Sequence, residues 1–111
     1  MKPIPNIIRA YVFMRDDGRC RICGQFTVKG VVHHIFRRSE AIPADLAIPW
    51  IKGNNHPDNL VWLCSVCHAL LHAGLFNEDK ALWVVENRRL RDLCPMPKEV
   101  QEWLIEHKVL L

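Results

Sequence analysis

The chain has 111 residues, of which 50% are hydrophobic and 24% are charged. These proportions are ordinary for a folded protein in water, and they exclude a disordered or low-complexity chain. The length fits one domain, residues 1–111, with a modest core. No stretch approaches the roughly 18 apolar residues of a membrane span, and the N-terminus lacks the apolar run of a secretion signal. We therefore expect a cytoplasmic protein with no membrane partner.

Basic residues are concentrated in the first half of the chain, although the net charge is only +3. Residues 1–55 contain nine Lys and Arg against four Asp and Glu, whereas residues 56–111 contain six against eight. This asymmetry favours a polyanionic partner such as nucleic acid. Ordinary solvated surface charge explains the same counts, so the charge alone decides nothing.

The first half contains patterns for one helix, one hairpin and a long loop. Spaced apolar residues predict a helix over residues 5–16 that ends near Gly18 and packs through Ile8, Tyr11, Val12 and Met14. β-branched residues on either side of Lys29-Gly30 predict a hairpin over residues 26–35, whose second strand is 31–35. Prolines, a glycine and an asparagine pair predict an irregular loop over residues 36–58, and loops of this length usually serve a function.

The second half predicts one strand and three helices. The apolar run 60–63 predicts a strand, and Ser65 is the expected cap of a helix that ends near Ala73, before Gly74. Asn77 and Pro97 are the expected starts of two scaffold helices, which together cover about 78–110. The apolar residues expected to pack from these two helices are Leu82, Val85, Leu90, Leu93, Val100, Trp103, Leu104 and Leu111.

Four of the five cysteines form two metal-binding pairs, Cys20-x-x-Cys23 and Cys64-x-x-Cys67. Four thiolates in a tetrahedron suit zinc, and such a site leaves no position for a reacting water, so we expect structural Zn²⁺. The 40 residues between the pairs exceed the roughly 12 to 20 of familiar fingers, which indicates an insertion. The alternative is four thiols without metal. We expect Cys94 to be structural or without a role.

Five of the six histidines fall between residues 33 and 72. Helix positions four apart lie on one face about 6 Å apart, so His68 and His72 can reach the same ion, although two helix histidines with no metal would show the same spacing. Adjacent strand residues point to opposite sides, so only one of His33 and His34 can join that pair. The other would face the substrate, where an imidazole can take a proton from water. We expect His56 and the remaining His107 to lie on the surface.

The order of these motifs resembles the HNH family, the ββα-metal nucleases. The resemblance covers about residues 20–73 and rests on Val32-His33-His34-Ile35 and on Asn59-Leu60-Val61-Trp62-Leu63-Cys64-x-x-Cys67-His68-x-x-x-His72. Within that family the chain is similar to the zinc-bearing branch, in which two cysteine pairs bracket the catalytic motif. The resemblance implies an α+β fold with a ββα-metal (His-Me finger) core, a four-cysteine structural zinc site and flanking helices.

The resemblance also implies a chemistry, the metal-dependent hydrolysis of DNA phosphodiester bonds to 5′-phosphate and 3′-hydroxyl ends. By position, His34 matches the general base, and Asn59 matches the asparagine that ties down the loop and orients that base. His33, His68 and His72 match the ligands of one catalytic divalent metal. Imidazole ligands do not fix its identity, so Mg²⁺, Mn²⁺, Ni²⁺ and Zn²⁺ stay open.

Partners follow from the same reasoning. Arg37 and Arg38, directly after the catalytic strand, are candidates for gripping the DNA backbone, with further contacts from Arg19, Arg21, Lys29 and Lys52. Small HNH proteins similar to this chain are often encoded by phages and work beside the packaging terminase, while others belong to restriction systems. The resemblance therefore implies a phage protein that acts in the host cytoplasm, with the large terminase subunit as partner, and a restriction role is the alternative. A zinc-ribbon module without catalysis and a nuclease directed at RNA are the competing functions. The sequence leaves nicking and double-strand cutting open.

Overall fold

The computed structural model describes residues 4–37, 39–49 and 51–108, and for Lys52 it describes the backbone only. Within these described ranges, two strands and four α-helices follow one another along the chain. They are α1 (Asn6–Arg15), β1 (Val31–His34), β2 (Leu60–Leu63), α2 (Ser65–His72), α3 (Lys80–Leu93) and α4 (Lys98–Glu106). This mixed α and β architecture confirms the predicted fold class. Within the described residues, no helix is both long and apolar enough to cross a membrane.

The two strands form an antiparallel sheet in which β1 pairs with β2. The register places His33 opposite Val61 and His34 opposite Leu60. The predicted hairpin over residues 26–35 is therefore wrong, because the partner of β1 is the distant β2. Phe26 forms only an isolated bridge with Arg19. The order of strand, loop, strand and helix is confirmed.

The connection between the strands is the long predicted loop, but it is not wholly irregular. In the part of the loop that the structure describes, three short 3-10 turns interrupt it, at Ala44–Leu46, Lys52–Asn54 and Pro57–Asn59. Leu46 and Ile48 are buried, so the loop supplies core as well as surface. The loop therefore has its own packing, which holds its polar residues close to the strands.

Every residue of β2 is buried, because the two faces of the sheet carry separate apolar clusters. Alternate strand residues point to opposite faces, so Val61 and Leu63 enter one cluster while Leu60 and Trp62 enter the other. The first cluster contains Cys20, Ile35, Phe36, Leu46, Ile48, Val61, Leu63, Cys67, Leu71 and Val84. The second contains Ile8, Tyr11, Val12, Val32, Ile51, Leu60, Trp62, Val100 and Leu104.

The helix starts differ in detail from the predictions. Cys64, not Ser65, precedes α2, and its sulfur accepts a hydrogen bond from the backbone N–H of Cys67. Asp79, not Asn77, caps α3 through a hydrogen bond from the backbone N–H of Leu82. Both predicted caps are therefore wrong.

The packing faces were predicted well for α1 and α4 and poorly for α3. Four residues expected to pack are at least half exposed: Met14, Leu82, Val85 and Leu93. In α3 the buried residues are Val84 and Asn87. Val100 and Leu104 of α4 are buried as predicted, whereas Leu111 lies outside the described residues.

Polar contacts attach α3 to the start of β2. The side-chain amide of Asn87, fully buried, donates to the backbone oxygens of Asp58 at 3.0 Å and Leu60 at 2.9 Å. Arg91 adds a two-pronged ion pair with the Asp58 carboxylate, at 2.9 and 3.1 Å. These contacts fix α3, which follows the motif region, against the segment that carries Asn59.

Candidate active site and metal centres

The four paired cysteines meet in one cluster. Their sulfurs lie within 4.8 Å of one another, and Cys23 and Cys64 are 3.9 Å apart. Four sulfurs bound tetrahedrally at about 2.3 Å from one zinc ion would be about 3.8 Å apart, so the spacing fits zinc. The chemistry fits as well, because four thiolates suit a closed zinc site. The cluster therefore agrees with a structural zinc.

Backbone geometry supports each cysteine pair. The N–H of Ile22 donates to the sulfur of Cys20 at 3.4 Å, and Gly24 completes the turn with φ +78°. Burial raises the pKa of Cys20, but hydrogen bonds from the backbone and from Cys23 outweigh it and lower that pKa to about 7. A thiol with a lowered pKa is easily converted to the thiolate that a metal requires. Burial raises the pKa of the Cys67 thiol, an effect that the charge of a bound metal ion opposes.

Three histidines form a second cluster, with one ring nitrogen of each within 4.8 Å of the others. His33 comes from β1, and His68 and His72 come from one face of α2. The Nε2 atoms of His68 and His72 are 3.0 Å apart. Two ligands at right angles, each about 2.1 Å from an ion, would have this separation, so the donor set fits a divalent metal.

The lowered pKa values of two of these histidines also favour metal binding. Burial lowers the pKa of His33, and the nearby Glu78 carboxylate offsets only part of that effect. Burial and the neighbouring His72 lower the pKa of His68. Neutral imidazoles keep the lone pair that a metal ligand must donate. Both rings are therefore ready to bind an ion near neutral pH.

His34 lies beside this cluster but outside the set of three. Its Nε2 is 2.8 Å from the Oδ1 of Asn55. His33 and His34 together border a cavity of about 470 Å³, which is also lined by Val31, Val32, Arg37, Ser39, His68 and His72. The half-buried ring of His34 thus faces the same space as the three clustered imidazoles.

Asn59 occupies the centre of the loop and is fully buried. Its amide nitrogen donates to the backbone oxygens of Phe36 at 3.0 Å and Asn54 at 2.9 Å, and its oxygen accepts from the N–H of Phe36 at 2.9 Å. These bonds join both ends of the long connection, as expected of a residue that ties down the loop. None of these hydrogen bonds goes to His34, so any effect on that ring passes through the backbone.

Glu78 is a site residue that the sequence reasoning missed. Its Oε2 is 3.4 Å from the Nε2 of His33, and it lines a second cavity of about 260 Å³ with both strand histidines. The same cavity contains Lys80, which forms a 2.8 Å ion pair with Glu40. Nothing in the local sequence marks Glu78, because its contact depends on how α3 packs. Its proximity to the three-histidine cluster is visible only in the folded structure.

The predicted nucleic-acid contacts divide into several groups. Arg37 is exposed and lines both cavities, so it can reach a ligand there. Arg21 cannot serve as predicted, because its side chain is 10% exposed and is held by Asp16 and Glu86. Arg38 lies outside the described residues, as does the side chain of Lys52. Arg19 and Lys29 are exposed, as a surface contact requires.

Two further expectations concern the remaining histidines. His56 was expected on the surface but is 5% exposed, and its Nδ1 accepts a hydrogen bond from the backbone N–H of Asp58. Burial lowers its pKa. His107 is partly buried, because its ring stacks on Trp103 at 4.1 Å between centroids. Neither contacts the two metal-binding clusters.

A buried ion pair at the end of α1, Arg15 with Asp16, was also missed. Arg15 donates to the backbone oxygens of Pro57 at 2.7 Å and Leu60 at 2.6 Å. The Asp16 carboxylate accepts from the backbone N–H of Trp62 at 2.9 Å. The pair thereby holds the start of β2, where the site residues begin. Both side chains are fully buried. Arg and Asp are seldom fully buried, so nothing in the sequence indicated this role.

Comparison with known proteins agrees with the site. The family model described as HNH endonuclease matches residues 20–74, a span that contains both cysteine pairs, the two strand histidines and the two helix histidines. The chain belongs to the HNH endonuclease family, which in general terms makes it a metal-dependent nuclease. Neither the curated proteins nor the solved structures gave a match.

Proposed function

We propose that the chain is a DNA endonuclease in which His34 is the general base, beside a divalent metal held by His33, His68 and His72. The observation that carries the proposal is the convergence of the three imidazoles on one point at the cavity that His34 borders. A base and a metal site that share one cavity are the two components that metal-assisted phosphodiester hydrolysis needs. The separate four-cysteine site supports a structural role for zinc.

The side chains divide the reaction between them. His34 takes a proton from water, the water oxygen bonds to phosphorus, and the bond from phosphorus to the 3′ oxygen breaks. The departing 3′ oxygen takes a proton from solvent, which leaves 5′-phosphate and 3′-hydroxyl ends. When bound, the divalent ion supplies positive charge that stabilises the negative charge developing on the phosphate and the leaving oxygen. Arg37, exposed at the cavity, is suited to hold a neighbouring phosphate.

Supercoiled plasmid incubated with a panel of divalent ions tests the proposal. We expect the wild type to cut it with at least one of Mg²⁺, Mn²⁺, Ni²⁺ and Zn²⁺, and His34→Ala to lose cleavage while it keeps its fold and its DNA binding. His107→Gln is the matched control, because that ring is outside the cavity and should leave cleavage unchanged. Full nicking by His34→Ala would contradict the assignment of the base.

Two measurements separate this function from its competitors. A non-catalytic zinc-ribbon module would bind one zinc per chain, whereas the proposed nuclease binds an exchangeable second divalent ion as well. Preferential cutting of structured RNA over plasmid DNA would redirect the activity to RNA. We also propose that the chain acts in phage DNA packaging with the large terminase subunit as its partner. Co-purification of the two proteins tests this role.

A further inference from the structure

The contact between His34 and Asn55 specifies which ring nitrogen can act as a base. The Oδ1 of Asn55 lies 2.8 Å from the Nε2 of His34. An amide oxygen can only accept a hydrogen bond, so this contact favours the tautomer with the proton on Nε2. In that tautomer the neutral ring has its lone pair on Nδ1. Asn55 is 8% exposed, which shields the bond from competition with water.

The backbone around Asn55 holds its side chain in place. Gly53 and Asn54 both adopt positive φ, +75° and +54°, and so turn the chain sharply just before Asn55. The Asn54 backbone is bonded on both sides, because its N–H donates to Ile51 at 2.8 Å and its oxygen accepts from Asn59 at 2.9 Å. The amide of Asn55 thus projects from a fixed turn.

We propose that Asn55 is the positioning residue for the general base: its Oδ1 accepts from the Nε2–H of His34 and keeps the lone pair on Nδ1, directed at the attacking water. The inference rests on the proposed nuclease function and extends it. It also divides two tasks that the resemblance gave to Asn59. Asn59 holds the loop, and Asn55, four positions earlier, holds the ring.

Two variants with side chains of nearly the same size as Asn55 test whether its oxygen is needed as the hydrogen-bond acceptor for His34. Asn55→Leu removes it, whereas Asn55→Asp retains it. We expect Asn55→Leu to lower kcat for cleavage of a DNA duplex about 10- to 100-fold with KM unchanged, in line with the loss of other groups that orient a site imidazole. Asn55→Asp should keep kcat close to that of the wild type. Asn54→Gly is the loop control, because Gly tolerates positive φ and the Asn54 side chain makes only a 3.5 Å contact with the Arg37 oxygen.

The ¹⁵N chemical shifts of the His34 ring in the Mg²⁺-loaded protein give a second readout, assigned by comparison with His34→Ala. We expect the Nε2–H tautomer in the wild type and in Asn55→Asp, and a mixture of tautomers in Asn55→Leu. An unchanged tautomer together with wild-type kcat in Asn55→Leu would overturn the proposal. An equal loss of kcat in Asn54→Gly would overturn it too, because loop integrity would then explain both losses. Should the wild type fail to cut nucleic acid, the nuclease function fails, while the tautomer comparison still tests the contact.

Discussion

Asn59 lies at the point where both ends of the long connection meet. Its side chain satisfies three backbone groups, the N–H and oxygen of Phe36 and the oxygen of Asn54, in a fully buried position. Buried backbone groups that lose their partners cost about 1 to 3 kcal/mol each when no water replaces the bond. The contribution of Asn59 is therefore to the stability of the folded loop.

We expect Asn59→Ala to lower the free energy of unfolding by about 2 to 4 kcal/mol, since water can reach part of the vacated space and offset some of the lost bonds. Urea denaturation followed by circular dichroism measures this. Gln101→Ala is the control, because that amide is exposed and bonds only to the Met96 oxygen, so its effect should stay within about 0.5 kcal/mol. Matching midpoints for the two variants would refute the bridging role.

Among individual residues, the sequence predicted those with a regular spacing along the chain and missed those whose role depends on tertiary contacts. The Cys-x-x-Cys spacing and the helical spacing of His68 and His72 are local, so the side-chain clusters could be anticipated. Asn55 and Glu78 have no such spacing. Each meets its histidine only after the loop and α3 have packed against the strands.

The segment that leads into α3 brings a carboxylate to the histidine cluster. Glu78 is 3.4 Å from His33, whereas the next residue, Asp79, caps α3. We expect Glu78→Ala to weaken the binding of Mn²⁺ at the histidine site about 10-fold or more, because a carboxylate beside a ligating imidazole adds negative charge and orients the ring. Isothermal titration calorimetry of the zinc-loaded protein measures the dissociation constant.

Asp79→Asn is the matched control for Glu78→Ala. It removes one negative charge from the adjacent position and keeps the oxygen that accepts from the N–H of Leu82. Its dissociation constant for Mn²⁺ should equal that of the wild type. If Glu78→Ala also bound Mn²⁺ with wild-type affinity, Glu78 would have no part in the metal site.

Two of the errors of prediction at the scale of elements have a clear physical cause. The spacing of apolar residues predicted that Leu82 and Val85 form the packed face of α3. The buried face instead contains Asn87, because its side-chain amide donates to the backbone oxygens of Asp58 and Leu60. The hairpin was predicted from local β-branched residues, whereas strand pairing is decided by long-range burial. A pattern of apolar residues does not contain that information.

The four-cysteine cluster joins residues from both ends of the HNH-matched region. Cys20 and Cys67 are both buried in the first core cluster, and α2 begins inside the second cysteine pair. We expect Cys20→Ser to unfold the chain at room temperature, because metal binding is part of the folding free energy of such small domains. Circular dichroism and the zinc content of the purified protein measure this outcome.

The fifth cysteine provides the reference for that experiment. Cys94 packs against the second core cluster and lies outside the four-cysteine site, so Cys94→Ser should retain zinc and melt within a few degrees of the wild type. A Cys20→Ser protein with the melting temperature of the wild type would refute a structural zinc.

The pairing of β1 with β2 limits where this chain can change length. His33 and His34 are adjacent in β1, so their side chains point to opposite faces of the strand. For this reason the ring of His33 lies beside the α2 histidines, whereas the ring of His34 lies beside Asn55. A residue inserted before His33 within the strand would shift the register by one position, turn both rings to the opposite faces and separate each ring from its partner. An insertion in the exposed stretch around Lys29 would leave the register intact, so tolerance to added residues should change abruptly at the first residue of the strand.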